Sequence, residues 1–287
     1  MIIAIASGKG GTGKTTIAVN LALALDNVQL LDCDVEEPNA HIFLKPELTS
    51  VEEVTVPLPF IDRSKCTFCG RCAEVCEFRA LNVFPGKDIL LLPTLCHNCG
   101  ACAMFCPNSA ISEICQKIGV IESGTSGALD YACGKLDICE PKAPPLIKQL
   151  KKKIDRNKTV ILDCPPGTSC PMMTAVKGSD FCLLVTEPTP FGLHDLKLAV
   201  ETVRKLGIPA GVFVNRATES RIIEQYCGQA AVPFMGSIPF DMEIARLYSK
   251  GIVYLSAKPE YRRVFTELAK NIHIEAEANV QDKAQHK

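Results

Sequence analysis

The sequence predicts an α/β fold, a mostly parallel sheet flanked by helices, interrupted by a small cysteine-rich α+β insert. Three observations carry this. Short apolar runs alternate with helix-like stretches, a glycine-rich loop sits between the first such run and the first such stretch, and two cysteine runs of identical spacing occupy the middle of the chain.

With 287 residues, 47% of them hydrophobic, the chain has enough material for a full α/β domain and a small second one. Lysine plus arginine total 31 against 32 acidic residues, so there is no basic excess, and nucleic acid is not expected as a partner. Lys151, Lys152 and Lys153 continue a helix-like stretch from Pro144 and read as a solvated face. Met1 to Ala6 is apolar, has no basic leader and runs straight into the glycine loop, so it reads as a buried strand and not a signal peptide. No apolar run reaches transmembrane length, and the tail from Ile274, with Glu275, Glu277, Asp282, Lys283 and Lys287, is too polar for an amphipathic anchor. The expectation is a cytoplasmic protein without membrane insertion. In such a protein, 16 cysteines, half of them at ligand spacing, point to metal and not to disulfides.

The first strand, Ile2 to Ala6, is followed by Ser7-Gly8-Lys9-Gly10-Gly11-Thr12-Gly13-Lys14-Thr15-Thr16 and then by an alanine- and leucine-rich helical stretch to Leu25. Strand, glycine loop and helix in that order make a P-loop. Gly8, Gly10, Gly11 and Gly13 let the backbone curl until successive N–H groups, from Thr12 through Thr16, point at phosphate oxygens, and the helix N-terminus adds its positive dipole end. Lys14 then pairs the β- and γ-phosphates of ATP, and Thr15 ligates Mg²⁺.

Lys9, early in Lys-Gly-Gly-x-Gly-Lys-Thr-Thr, makes the loop resemble the deviant Walker A of the MinD/ParA ATPases, the Mrp-type iron–sulfur carriers and the nitrogenase iron protein. The resemblance implies that Lys9 reaches a partner's phosphates across a nucleotide-sandwich homodimer formed on ATP. Val28 to Leu31 reads as a second strand ending in Asp32-Cys33-Asp34, where Asp34 matches the switch I aspartate that orients the attacking water or acts as base, with Asp32 its structural neighbour. Thr159 to Leu162 delivers Asp163 ahead of Cys164-Pro165-Pro166-Gly167, which looks like Walker B plus switch II, with Asp163 holding the Mg²⁺ shell through water. Further strands run from Phe181 to Thr186 and from Ala210 to Val214. After the latter, Asn215 matches the relatives' adenine-contacting asparagine. Ile238-Pro239-Phe240-Asp241 matches the segment on the base's other side, which brings Pro239 and Asp241 into the nucleotide-binding set.

Cys66, Cys69, Cys72, Cys76 and Cys96, Cys99, Cys102, Cys106 each read C-x2-C-x2-C-x3-C, the bacterial ferredoxin spacing. Resemblance to two-cluster ferredoxins assigns Cys66, Cys69, Cys72 and Cys106 to one [4Fe–4S] cluster and Cys76, Cys96, Cys99 and Cys102 to the other. Pro107 follows Cys106 as in that family, whereas Glu77 takes the same place after Cys76. Tetrahedral zinc is the competing reading of C-x2-C pairs, disfavoured by two repeated quartets with no histidine in the spacing. His97, between ligands, reads as a hydrogen-bonding surface residue. The insert is placed at residues 60–113, inside a discontinuous ATPase domain of residues 1–59 and 114–287.

The other cysteines read mostly as small core residues. Two are set apart. Cys170, seven residues after Asp163, resembles the switch II cysteine of the nitrogenase iron protein, and Cys133, after Glu122-Ser123-Gly124, resembles that family's other ligand. Together they suggest a third cluster bridging the dimer. The leading expectation is an ATP-hydrolysing iron–sulfur protein whose dimer couples nucleotide state to electron transfer through ferredoxin-type clusters, toward a redox or iron–sulfur client. One alternative is an iron–sulfur assembly scaffold or carrier, although only Cys227 stands in the late chain where such carriers show a C-x-x-C pair. The other is a MinD/ParA-like positioning ATPase with redox sensing.

Overall fold

The computed structural model describes the backbone of residues 1–285 and the side chains of residues 1–279. Lys287, part of the polar-tail reading, lies outside the described residues, as do the side chains of Asp282 and Lys283. The chain opens with β1 (Ile2–Ala6), α1 (Lys14–Ala24), β2 (Val28–Asp32), α2 (Ala40–Leu44) and β3 (Glu47–Ile61). Then come α3 (Arg71–Glu74), β4 (Leu81–Phe84), β5 (Asp88–Leu91), α4 (Ala101–Met104), β6 (Ile111–Ser126) and β7 (Leu129–Leu136). They are followed by α5 (Ala143–Leu150), β8 (Thr159–Asp163), α6 (Cys170–Val176), β9 (Phe181–Thr186), α7 (Pro190–Lys205), β10 (Ala210–Ala217) and α8 (Arg221–Ala230). The last elements are β11 (Phe234–Pro239), α9 (Met242–Ser249), α10 (Tyr254–Ala257) and α11 (Arg262–Gln285). The chain divides into two compact units, one of Met1–Val51, Ile121–Lys135 and Ile147–Lys287, the other of Glu52–Val120 and Leu136–Leu146.

The larger sheet has the order β11-β10-β9-β1-β8-β2-β7-β6-β3, parallel from β11 through β7, and its strands β11, β10, β9, β1, β8 and β2 lie wholly in the first unit. Every residue of β1, β2 and β9 is buried, and β1 and β9 are accordingly almost wholly apolar, while Gln29 and Asp32 are the polar residues of β2; helices cover both faces of such a sheet. Burying each large side chain among them contributes about 1.5–3 kcal/mol. β1 pairs with β8 on one side and β9 on the other, so the loop after it opens where the two neighbouring loops diverge, the usual place for a ligand in such sheets. α7 starts for local reasons: Thr189 caps it by accepting from Gly192 N at 3.0 Å, and Pro190 stands in its first turn.

β3 runs unbroken through Pro57 and Pro59. It is last in the sheet order, and an edge strand tolerates the missing donors of Pro57 and Pro59.

In the second unit, β4 and β5 form an antiparallel hairpin, with Leu81 opposite Leu91 and Phe84 opposite Asp88. The two cysteine runs share one backbone path. Left-handed φ values recur at matching positions, 55° and 57° at Phe68 and Asn98, 85° and 73° at Gly70 and Gly100, and 51° and 49° at Arg79 and Ser109. A short helix, α3 or α4, follows each glycine. The apolar centre of this unit is small, with Cys72, Leu81, Ile89 and Ile111 buried.

Lys151 corrects the reading of the lysine run as a solvated face. Its ammonium donates to the carbonyls of Thr174, Ala175 and Lys177 at 3.2, 2.5 and 2.6 Å, closing the C-terminal end of α6, and burial holds its pKa below the usual lysine value. Lys151→Met keeps the aliphatic stem and strips these carbonyls of their donor. A loss of about 1–3 kcal/mol in urea unfolding is expected, against no measurable change for Lys152→Met on the exposed side.

Candidate functional site

The loop from Ser7 to Lys14 takes its shape from two glycines whose place no other residue could fill. Gly13, at φ 89°, caps α1, and a Cβ there would lie 2.1 Å from Asn215 Nδ2. A Cβ on Gly8 would lie 2.1 Å from the carbonyl oxygen of Asp195, so α7 packs directly on the loop backbone. Asn215 donates to the Thr12 carbonyl at 2.9 Å, tying the end of β10 to the loop. Lys14 and Thr12 are buried, whereas Gly10 and Gly11 are exposed.

Three carboxylates stand at the heads of the neighbouring strands. Asp32 and Asp163 are register partners on β2 and β8, both fully buried. Asp32 accepts backbone N–H groups from Asp34 at 3.2 Å and from Asn39 and Ala40 at 3.0 Å each, so it moulds the loop that carries Asp34. Burial, then the neighbouring Asp163, hold the Asp32 carboxyl well above the usual carboxylate range. Asp163 differs in that both its carboxylate oxygens are buried without a well-formed hydrogen bond. Burial pushes it up to about 7, with the adjacent Thr15 side chain and Lys14 pulling the other way. Burial raises Asp34 to about 6, opposed by Lys14. Thus Lys14 faces both Asp34 and Asp163. An orphaned carboxylate beside a threonine at the mouth of an N–H-lined loop is a donor set that fits Mg²⁺.

Lys9 lies 3.6 Å from Glu187 of its own chain, and the same carboxylate takes Arg216 at 2.6 Å. Glu187 escaped the sequence reading; its signal was its place just past the carboxyl end of a parallel strand. Pro239 pairs with Ala217 at the end of β10, close in sequence to Asn215. The Asp241 carboxylate is occupied by the N-terminus of α9, accepting from Glu243 N at 2.7 Å, and by Lys258 at 2.7 Å, which holds its pKa low.

The eight cysteines of the two runs surround two hollows. One is lined by Cys66, Cys69, Cys72 and Cys106; the other by Cys76, Cys96, Cys99 and Cys102. Each takes three thiols from one run and the fourth from the other, and all are free thiols. Ala80 N donates to Cys76 Sγ and Ala110 N to Cys106 Sγ, both at 3.3 Å. Burial pushes Cys102 up to about 11 and raises Cys72 in the same direction. Among the described residues, no three histidine, cysteine or acidic side chains converge tightly enough for a single metal ion. His97 stacks on Phe78 with ring centres 3.6 Å apart.

Cys133 and Cys170 do not form a matching pair. Cys133 has no exposed surface and packs in the core of the first unit, 3.9 Å from Glu122, whereas Cys170 is exposed at the start of α6. A ligand shared across a dimer must reach the surface, so the expected bridging pair is corrected on this point. Of the remaining cysteines, Cys33, Cys164, Cys182 and Cys227 are buried and Cys115 and Cys139 exposed.

A parallel sheet with a glycine loop, a buried lysine and acidic strand ends defines a P-loop nucleotide-binding protein. Residues 3–254 match the CobQ/CobB/MinD/ParA nucleotide binding domain, and the chain belongs to that family. An uncharacterized protein of Methanocaldococcus jannaschii is 33% identical over 94% of this chain and 96% of its own. A protein named iron-sulfur cluster carrier protein from Aquifex aeolicus is 25% identical over 97% of this chain and 69% of its own. Among solved structures, the cell division ATPase MinD of Pyrococcus furiosus superposes with a TM-score of 0.59 at 22% identity, covering 95% of this chain and 98% of that one, which shows the same fold. No helix among the described residues is long and apolar enough to cross a membrane.

A carboxyl whose folded pKa is raised binds its proton more tightly folded than unfolded, so the stability it contributes is complete below 3.8 and lost as pH rises through about 7. Nucleotide-free protein should therefore lose stability between those values, Asp163 accounting for on the order of 4 kcal/mol. Thermal unfolding against pH checks this, with Asp163→Asn expected to flatten the profile.

Proposed function

We propose that this chain is an ATP-dependent iron–sulfur ATPase whose second unit holds two four-iron clusters, and that it serves iron–sulfur cluster assembly or delivery. The observation that carries the iron–sulfur reading is the pair of hollows, each with a complete set of four thiols. Tetrahedral zinc needs its ligands converged on one ion, and among the described residues no three such side chains converge that way, whereas a polynuclear cluster spreads its thiolates around its own volume. The small apolar centre of this unit agrees, since a module with so little core gains from a metal staple. Delivery is supported by the names of relatives that align along nearly the whole chain, such as the Aquifex aeolicus carrier and a cytosolic Fe-S cluster assembly factor homolog of Culex quinquefasciatus, 26% identical over 96% of this chain.

In the nucleotide site, the loop N–H groups and Lys14 bind the phosphates, Thr15 and Asp163 would hold Mg²⁺, and Asp34 orients water for attack. Mg²⁺ supplies neutralisation of the charge that develops on the phosphates. Lys9 leaves Glu187 to meet the phosphates of a second copy when ATP closes a homodimer. Asn215, with Pro239, frames the base.

A second reading, electron transfer gated by nucleotide, is favoured by two specific observations. Both four-thiol sets lie within one chain, and Cys227, the one late-chain cysteine, is 3% exposed in α8 and offers no thiol for hand-over. Mixing anaerobically loaded protein with a cluster-free acceptor, with and without ATP, separates the two: delivery moves iron and sulfide to the acceptor, whereas electron transfer leaves them in place.

Anaerobically prepared protein should contain about eight iron per chain with matching sulfide, and stoichiometric zinc in its place would refute the cluster reading. Lys14→Ala should abolish nucleotide binding. Asp34→Asn should bind ATP and turn over roughly 10²-fold or more slowly; hydrolysis at the wild-type rate would remove Asp34 from its role.

A further inference from the structure

The two hollows repeat one backbone motif, yet they are not electrostatically alike. Among their lining residues the hollow of Cys66, Cys69, Cys72 and Cys106 has one ionic side chain, Arg71, and the hollow of Cys76, Cys96, Cys99 and Cys102 has one acidic side chain, Glu113, together with His97, whose ring is stacked on Phe78. Arg71 follows Gly70 directly, between Cys69 and Cys72. Its guanidinium contacts Glu74 at 3.0 Å in a pair whose side chains are 52% and 64% exposed, and Glu74 does not line the hollow. Glu113 Oε1 lies 3.2 Å from where a Cβ on Gly100 would stand, beside the matching turn between Cys99 and Cys102. Opposite charges thus sit at the two copies of one turn.

A positive neighbour favours the more negative, reduced form of a cluster, and a negative neighbour disfavours it; charge and N–H···S bonds are among the factors that set such potentials. The N–H···S bonds from Ala80 and Ala110 are equal in the two copies and cancel. One difference opposes the charges: Cys96 Sγ has Asn98 N at 3.5 Å and Asn98 Nδ2 at 4.0 Å. Both contacts are long, and the influence of a dipole falls off faster with distance than that of a full charge, so the charges win.

We propose that the two clusters differ in potential, the one beside Arg71 being higher and the one beside Glu113 lower, which gives the pair a direction. This rests on the reading that both hollows hold four-iron clusters. One electron delivered by an external one-electron donor reduces the cluster beside Arg71, and the cluster beside Glu113 takes an electron only second. When the second is reduced and the first oxidised, one electron crosses from the second to the first, each changing by one, with no proton moved.

The test uses the full chain loaded anaerobically, with iron and sulfide counted before an EPR-monitored redox titration. Wild type should show two one-electron waves. Arg71→Gln should lower the upper wave alone and Glu113→Gln should raise the lower wave alone, each by about tenfold in the reduced-to-oxidised ratio at fixed potential, or about 59 mV. Arg71→Lys and Glu113→Asp, which keep the charge, should stay near wild type, an outcome that a packing role would not give. Coincident waves in wild type, or substitutions that move the opposite wave or neither, would overturn the inference while full iron counts left the cluster reading standing. A chain without iron would overturn that reading, and the inference with it.

Discussion

The pairing of β8 between β1 and β2 is the constraint on which the nucleotide site depends. It sets Asp163 level with Asp32 and one strand from the glycine loop, and it makes the loops brace one another through their backbones. Cys33 N donates to the Asp163 carbonyl at 2.8 Å, Cys164 N to Ile5 at 3.0 Å and Gly167 N to Ser7 at 3.0 Å. Loops braced in this way cannot drift apart to hydrate their carboxylates. The buried Asp163 therefore keeps an unmet demand for positive charge, and Lys14 and Mg²⁺ are suited to meet it.

Division of labour follows among the acidic residues. Asp32 spends its oxygens on three backbone N–H groups and works as scaffold for the loop after β2. Asp34, two residues on, keeps its side chain only partly buried and near Lys14. Glu187 holds two cations at once and so stores Lys9 in a defined place within its own chain. Residues that sequence patterns place in one acidic class are separated here by how many donors each already has.

The parts of the fold that could be read from the sequence were those where one physical demand dominates. β1, β2, β8 and β9 are buried and had to be mainly apolar, and the glycine loop had to be free of side chains at Gly8 and Gly13. β3 was hidden because an edge strand with little burial carries charges and prolines, so its residues resemble a linker. Lys151 was misread because a lysine that caps a helix through its ammonium has the same local sequence as one in solvent, and its partners lie more than twenty residues away. Glu187 was silent for a similar reason: its partners come from the glycine loop and from the end of β10. Cys133 looked like a ligand by its neighbours in sequence and is a core residue by its place on β7, beside Asp32.

The exchange of the fourth cysteine between the two runs has a consequence for how the second unit is made. The hollow that takes three thiols from the first run lacks its fourth until Cys106 has been added, and the other begins with Cys76 and waits for Cys96, Cys99 and Cys102. Neither can be completed from a half-made chain. On the ribosome both sites must therefore remain open until the second run has left the exit tunnel, and they then become complete almost together. The duplicated motif is in this sense a single object: cutting the chain between its halves yields two fragments with three-quarters of a site each, and no whole one.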